Sequence, residues 1–93
     1  MELAVIHTIK DSSAYMQVIQ SFAPANLPDG FELLSTATSA DVAKAICIWR
    51  APSREALETA LTEMLGASTV NDVFDVHDGT VIIAGQTSQA AAV

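Results

Sequence analysis

From Leu3 to Ile9 the chain is short, aliphatic and β-branched, which predicts a first strand. The period then changes. Tyr15, Val18, Ile19 and Phe22 fall at i, i+3, i+4 and i+7, the spacing of one helix face, with Asp11 or one of the two following serines as N-cap. Pro24 stops that helix, and Asn26-Leu27-Pro28-Asp29-Gly30 is dense in turn formers. Phe31 to Thr38 and Ala43 to Arg50 read as two strands joined by a hairpin at Ser39 to Val42. Pro52-Ser53 opens a second helix, with Ser53 as N-cap, Glu55 near the positive end of the dipole, a stripe of Leu57, Ala60, Leu61 and Met64, and Gly66 as its stop. Val70 to His77 is the fourth strand. Asp78-Gly79 is a two-residue hairpin signal, so Thr80 to Ala84 is expected to fold back as a short fifth.

This order predicts an α+β domain of ferredoxin-like βαββαβ topology over residues 1–84, followed by a loose polar, Ala-rich tail over 85–93. Right-handed crossovers put both helices on one face of an antiparallel sheet and leave the other face bare. With a hairpin loop at 39–42, Thr36 pairs with Ala45, Leu34 with Cys47 and Glu32 with Trp49. Glu32, Leu34, Thr36, Cys47 and Trp49 then share one face, while Leu33, Ala37, Ile46 and Ile48 share the other and are the better helix-packing set. The parity of the first strand is ambiguous. His7 is assigned to the bare face, because a histidine among helix-facing aliphatics needs a buried partner. In the fourth strand Phe74 and Val76 suit the core, leaving Val73, Asp75 and His77 with the bare face.

Composition narrows the classes. Ninety-three residues make one domain near the small end of what a single core stabilises, and an apolar content of 51% with only 16% charged residues points to buried surface beyond the monomer core. A second copy of the chain covering the bare face is the simplest source of it. The formal charge of −7, from 11 acidic and 4 basic residues, excludes a basic footprint for nucleic acid and disfavours an anionic membrane surface. One cysteine forms no internal disulfide, no apolar run approaches a bilayer span, and the opening residues lack a signal-peptide pattern; the expected location is the cytoplasm.

The candidate chemistry is a cluster on the bare face: His7 as general base and Glu32 as its acid/base partner, with Trp49 as cavity wall and Thr36 and Cys47 behind. Each has an ordinary reading as well: a hydrogen-bonded interface histidine, a rim carboxylate, an interface tryptophan, a small buried cysteine. His77 falls about 13 Å from His7 along the sheet, too far for both to ligate one ion in one subunit. No Ser/His/Asp spacing and no multi-cysteine zinc pattern is present. Arg50 and Arg54 flank Pro52 as a weak anion signal.

The run Cys47-Ile48-Trp49-Arg50-Ala51-Pro52-Ser53-Arg54-Glu55-Ala56-Leu57, with Val70-Asn71-Asp72-Val73-Phe74-Asp75-Val76, resembles small bacterial proteins of the dimeric α/β-barrel superfamily, including its nickel-binding-protein-like, unknown-function members. The resemblance implies a homodimer whose two sheets close around a central cavity. It covers about a third of the chain in sequence and nearly all of it in element order, and its motif is scaffold rather than chemistry. The nickel-binding-like members carry extra histidines in helices and connections, which this chain lacks. The resulting expectation is a homodimer that binds a small, largely apolar ligand between its sheets without a cofactor, as a cofactor-independent monooxygenase, isomerase or cyclase or as a plain binder. The alternatives are a transition-metal (nickel-like) binding protein and a non-catalytic interaction module.

Overall fold

The computed structural model of the chain describes residues 1–23 and 26–82. It contains β1 (Glu2–Ile9), α1 (Ser12–Gln20), β2 (Glu32–Thr38), β3 (Lys44–Arg50), α2 (Arg54–Leu65), a single 3₁₀ turn at Gly66–Ser68, and β4 (Thr69–Asp75). The four strands form one sheet in the order β2-β3-β1-β4, with every neighbouring pair antiparallel. This is the ferredoxin-like α+β arrangement expected from the order of elements.

Local chemistry sets the element ends. The Asp11 side chain accepts from the Ala14 amide at the start of α1, and Ser53 accepts from the Ala56 amide at the start of α2. α1 ends at Gln20, before the expected Phe22, because the Ser21 hydroxyl turns back and donates to the Gln17 carbonyl. Pro24 lies outside the described residues. Gly30 has φ +89, and a Cβ there would sit 3.1 Å from Pro52 Cγ, so glycine is needed where the 26–30 turn passes the start of α2. At the far end the expected turn exists: Thr80 N–H donates to the His77 carbonyl, and Gly79 has φ +79. No fifth strand follows over residues 80–82, and the remainder of that expected strand, with the tail over 85–93, lies outside the described residues.

The sheet faces are the reverse of the expectation. Leu3, Val5 and His7 of β1 and Ala45, Cys47 and Trp49 of β3 are buried, together with Val73 of β4, against Tyr15 of α1 and Leu57, Leu61 and Leu65 of α2. Ile6, Ile46 and Phe74 are exposed on the opposite face, at 39%, 56% and 41%. Aliphatic character misled the assignment of Ile46 and Ile48 to the core. The usable signal was charge parity. Lys44 and Arg50 share parity with Ile46 and Ile48, and Glu2 shares it with Ile6, so burying those isoleucines would bury strand-end charges as well. Small Ala45 and Ala51 instead face inward, where helices approach closely.

The β2–β3 register also differs. The loop runs over 39–43, with Ser39 Oγ accepting from the Ala43 and Lys44 amides, so Thr38 pairs with Ala45 and Thr36 with Cys47. A bulge between Leu33 and Ser35 then inverts parity, placing Leu33 opposite Trp49 and Glu32 opposite Arg50. Among the described residues no helix is long and apolar enough to cross a membrane.

Candidate functional site

The corrected register lines up polar side chains across the helix-facing side of the sheet. Thr36 on β2 stands opposite Cys47 on β3, and His7 on β1 stands opposite Asn71 on β4. Cys47 is diagonal to His7, because the residues directly paired across β1 and β3 are His7 with Ala45 and Val5 with Cys47. The contacts follow: Thr36 Oγ1 to Cys47 Sγ is 3.3 Å, Cys47 Sγ to His7 Nε2 is 3.3 Å, and His7 Nδ1 to Asn71 Oδ1 is 2.6 Å. Asn71 Oδ1 also accepts from the Thr69 hydroxyl at 2.7 Å.

These partners fix the proton positions. Asn71 Oδ1 is an acceptor, so His7 carries its proton on Nδ1 and turns the Nε2 lone pair toward the thiol. The thiol donates to Nε2, and the Thr36 hydroxyl can donate to the sulfur in turn. The result is a thiol, an imidazole and an orienting amide in the order found in Cys-His-Asn hydrolases, although only the arrangement is shared. Burial lowers the pKa of His7, with the Asn71 hydrogen bond opposing part of the fall, and burial raises that of Cys47. Both groups therefore rest uncharged.

The cluster borders a cleft of about 200 Å³ between the sheet and the two helices. α1 has only nine residues, about 13 Å of helix, and the helix-side residues Thr36 and Thr38 of β2 remain exposed. The cleft lies in the wedge between them. Tyr15 and Ile19 line it from α1, Leu61 and Met64 from α2, and His7, Cys47 and Trp49 from the sheet. Exposed Ile19 and Thr36 mark its mouth, and among the described residues no charged side chain lines it.

Two lining groups are polar and without a partner. Tyr15 Oη and Trp49 Nε1 are buried with no hydrogen bond among the described residues, in residues that are 1% and 3% exposed. The Thr38 hydroxyl is near enough to offset part of the burial-driven rise in the Tyr15 pKa, but not in hydrogen-bonding geometry. Trp49 similarly approaches the Cys47 sulfur without completing a bond. An unsatisfied buried donor costs about 1–3 kcal/mol, so two of them beside one cleft need a physical explanation. A wider groove of about 540 Å³ runs between α2 and the 26–31 segment; it shares Trp49 but has neither Tyr15 nor His7 in its walls.

Of the expected site residues, His7, Thr36, Cys47 and Trp49 come together, on the helix side of the sheet rather than the bare side. Glu32 does not join them: it lies on the open face, 2.7 Å from Arg50, which also reaches Glu2 at 3.1 Å. Arg54 pairs with Asp75 at 3.2 Å, so both arginines of the weak anion signal are engaged. Asn71 and Tyr15 were not anticipated in the site. Asn71, a polar residue in a strand opposite a histidine, was the legible clue to His7, since it is the buried partner that an inward histidine requires. Among the described residues no three His, Cys, Asp or Glu side chains converge as a metal-ligand set. Comparisons with protein-family models, curated proteins and solved structures found no match to this chain.

Proposed function

We propose that this protein binds a small, uncharged, largely apolar molecule carrying one hydrogen-bond acceptor, in the cleft between the sheet and the helices and without a cofactor. The observation that carries this reading is the pair of donors without a partner among the described residues, Tyr15 Oη and Trp49 Nε1, in a largely apolar cleft whose other polar lining groups are His7, Cys47 and Thr36. Binding sites combine apolar walls with a few placed polar groups, and a carbonyl or ether oxygen supplies the acceptor these donors lack. A volume near 200 Å³ suits a single ring with a small substituent, since a cavity of about 150 Å³ holds benzene. Acidic or basic ligands are disfavoured because the walls offer no countercharge.

Cyclohexanone is a suitable probe. Trp49 is the only tryptophan of the chain, so its indole N–H gives one assignable NMR resonance. That resonance should shift on titration, with a Kd of about 1 mM or below, within the range open to a seven-atom ligand. Cyclohexanecarboxylate should not shift it. A resonance unmoved by cyclohexanone at about ten times that concentration defeats the reading.

The open sheet face supports a second element of the proposal, a homodimer. Ile46 pairs with Ile6 and Ile48 with Ala4 in the middle of that face, beside Phe74, while Glu2, Lys44 and Arg50 lie at the strand ends and Asp72 lies opposite Ile6 on the edge strand β4. An apolar centre with a polar rim matches the anatomy of an interface between copies. The ligand cleft then belongs to each subunit rather than to the space between sheets.

A further inference from the structure

The pocket reading leaves the thiol and imidazole unexplained. Cys47 and His7 are hydrogen-bonded to each other, aligned by Thr36 and Asn71, and placed in the wall of the cleft beside the two unpartnered donors. A cleft meant only for apolar contact gains nothing from a nucleophile paired with a base. Resting on the pocket reading, we propose that Cys47 adds reversibly to a small α,β-unsaturated ketone or aldehyde held in this cleft, with His7 carrying the proton and Trp49 and Tyr15 donating to the carbonyl oxygen.

The step balances without a further reagent. Sγ bonds to the β-carbon as the carbon–carbon π pair shifts and the carbonyl π pair moves onto oxygen. The thiol proton passes to His7 Nε2, and the enolate oxygen receives Trp49 Nε1–H and Tyr15 Oη–H. The imidazolium then returns the proton to the α-carbon as the carbonyl re-forms, giving a thioether. Nothing is oxidised or reduced overall, and the reverse sequence releases the enone.

Three features favour this class over acyl transfer. An ester or amide needs an exit for its leaving group and an activated water for turnover, and the apolar walls serve neither. Proton transfer within a neutral thiol–imidazole pair suits a substrate that takes the proton back. Two buried donors without a partner, in residues that line the same cleft as the thiol, supply hydrogen bonds to the enolate oxygen, the interaction by which oxyanions are stabilised. Around the pair, β2 and β4 contribute the neutral Leu33, Thr36, Asn71 and Thr69, α1 contributes Tyr15, Val18 and Ile19, and α2 contributes Leu61, Met64 and Leu65; among the described residues no charged group faces it.

The test uses the whole chain with 2-cyclohexen-1-one, and with cyclohexanone as the saturated control. Intact mass should rise by one enone per chain, and peptide mapping should place it on Cys47. A thiol that reacts through bulk thiolate speeds up about tenfold per pH unit below its pKa. The Cys47 rate should instead stay flat between about pH 6.5 and 8, where His7 is already neutral and takes the proton directly. His7→Gln should slow the reaction by about 100-fold or more and restore the tenfold slope. Tyr15→Phe should slow it at least about tenfold with the flat profile intact. If His7→Gln does not fold, the wild-type profile alone decides. No adduct, or a wild-type rate rising tenfold per unit, overturns the addition; if cyclohexanone still shifts the Trp49 resonance, the pocket reading survives. If neither probe perturbs Trp49, both fall together.

Discussion

Tyr15 and His7 meet across the cleft with ring centroids 6.3 Å apart, and they carry opposite penalties. Tyr15 hides a hydroxyl without a partner. Tyr15→Phe removes that group and keeps the ring, so it should raise the stability of the free protein by about 1 kcal/mol. Urea denaturation should show a higher midpoint at unchanged slope, while cyclohexanone binding weakens; a lower midpoint would mean that the hydroxyl is satisfied in solution. His7 is partnered but buried, and burial depresses its pKa from the ordinary 6.5. A depressed folded value means that the unfolded chain takes up the proton first as pH falls. Stability is therefore full above about pH 6.5 and declines below it by up to about 1.4 kcal/mol per unit, until His7 itself is protonated. In a His77→Gln background the urea midpoint should fall between about pH 7.5 and 5.5, and the fall should shrink when His7→Gln is added. Equal falls in both proteins would remove His7 as the source.

At the scale of elements, the site depends on register more than on residue type. Thr36 meets Cys47 only because the hairpin loop has five residues, held by Ser39 Oγ, and by Asp41 accepting from Ser39 and from the Ala43 amide. Val42 sits at φ +55 within that loop, an uncommon conformation for a β-branched residue and one that no sequence pattern announces. The bulge at Leu34 then separates Glu32 from Trp49. The pairing is shifted by two residues, with Thr36 opposite Cys47 in place of Ala45, so Thr36 keeps the Cys47 face; the one extra residue of the bulge is what moves Glu32 to the other face. Caps, stripes and stops are local, and Asp11, Ser53 and Gly66 do what their positions indicate. The short α1 is also local in origin, yet its consequence, an uncovered wedge under β2, exists only once helix and sheet are packed.

For the whole molecule, the face away from the helices bears the next prediction. Ile46 is 56% exposed at the centre of that face, so Ile46→Glu should leave the fold of a single chain intact and convert a dimer to monomer at micromolar concentration. Sedimentation velocity should read two species masses in a twofold ratio, and a wild-type chain that sediments as a monomer would falsify the dimer. Element order, helix caps and the existence of one apolar face on each helix were legible in the sequence, because each depends on residues within a few positions of one another. So was the candidate set of His7, Thr36, Cys47 and Trp49, which share a face in the folded chain as expected. Which face they share was decided only by tertiary structure. The strand-end charges that share parity with Ile46 and Ile48 were a local hint against burying those isoleucines, but the partner that lets His7 turn inward is non-local: Asn71, 64 positions away, satisfies the imidazole. The sheet face that turns toward the helices thereby carries the thiol and the imidazole, and the bare face carries the isoleucines Ile6, Ile46 and Ile48 together with the Arg50 ion pairs.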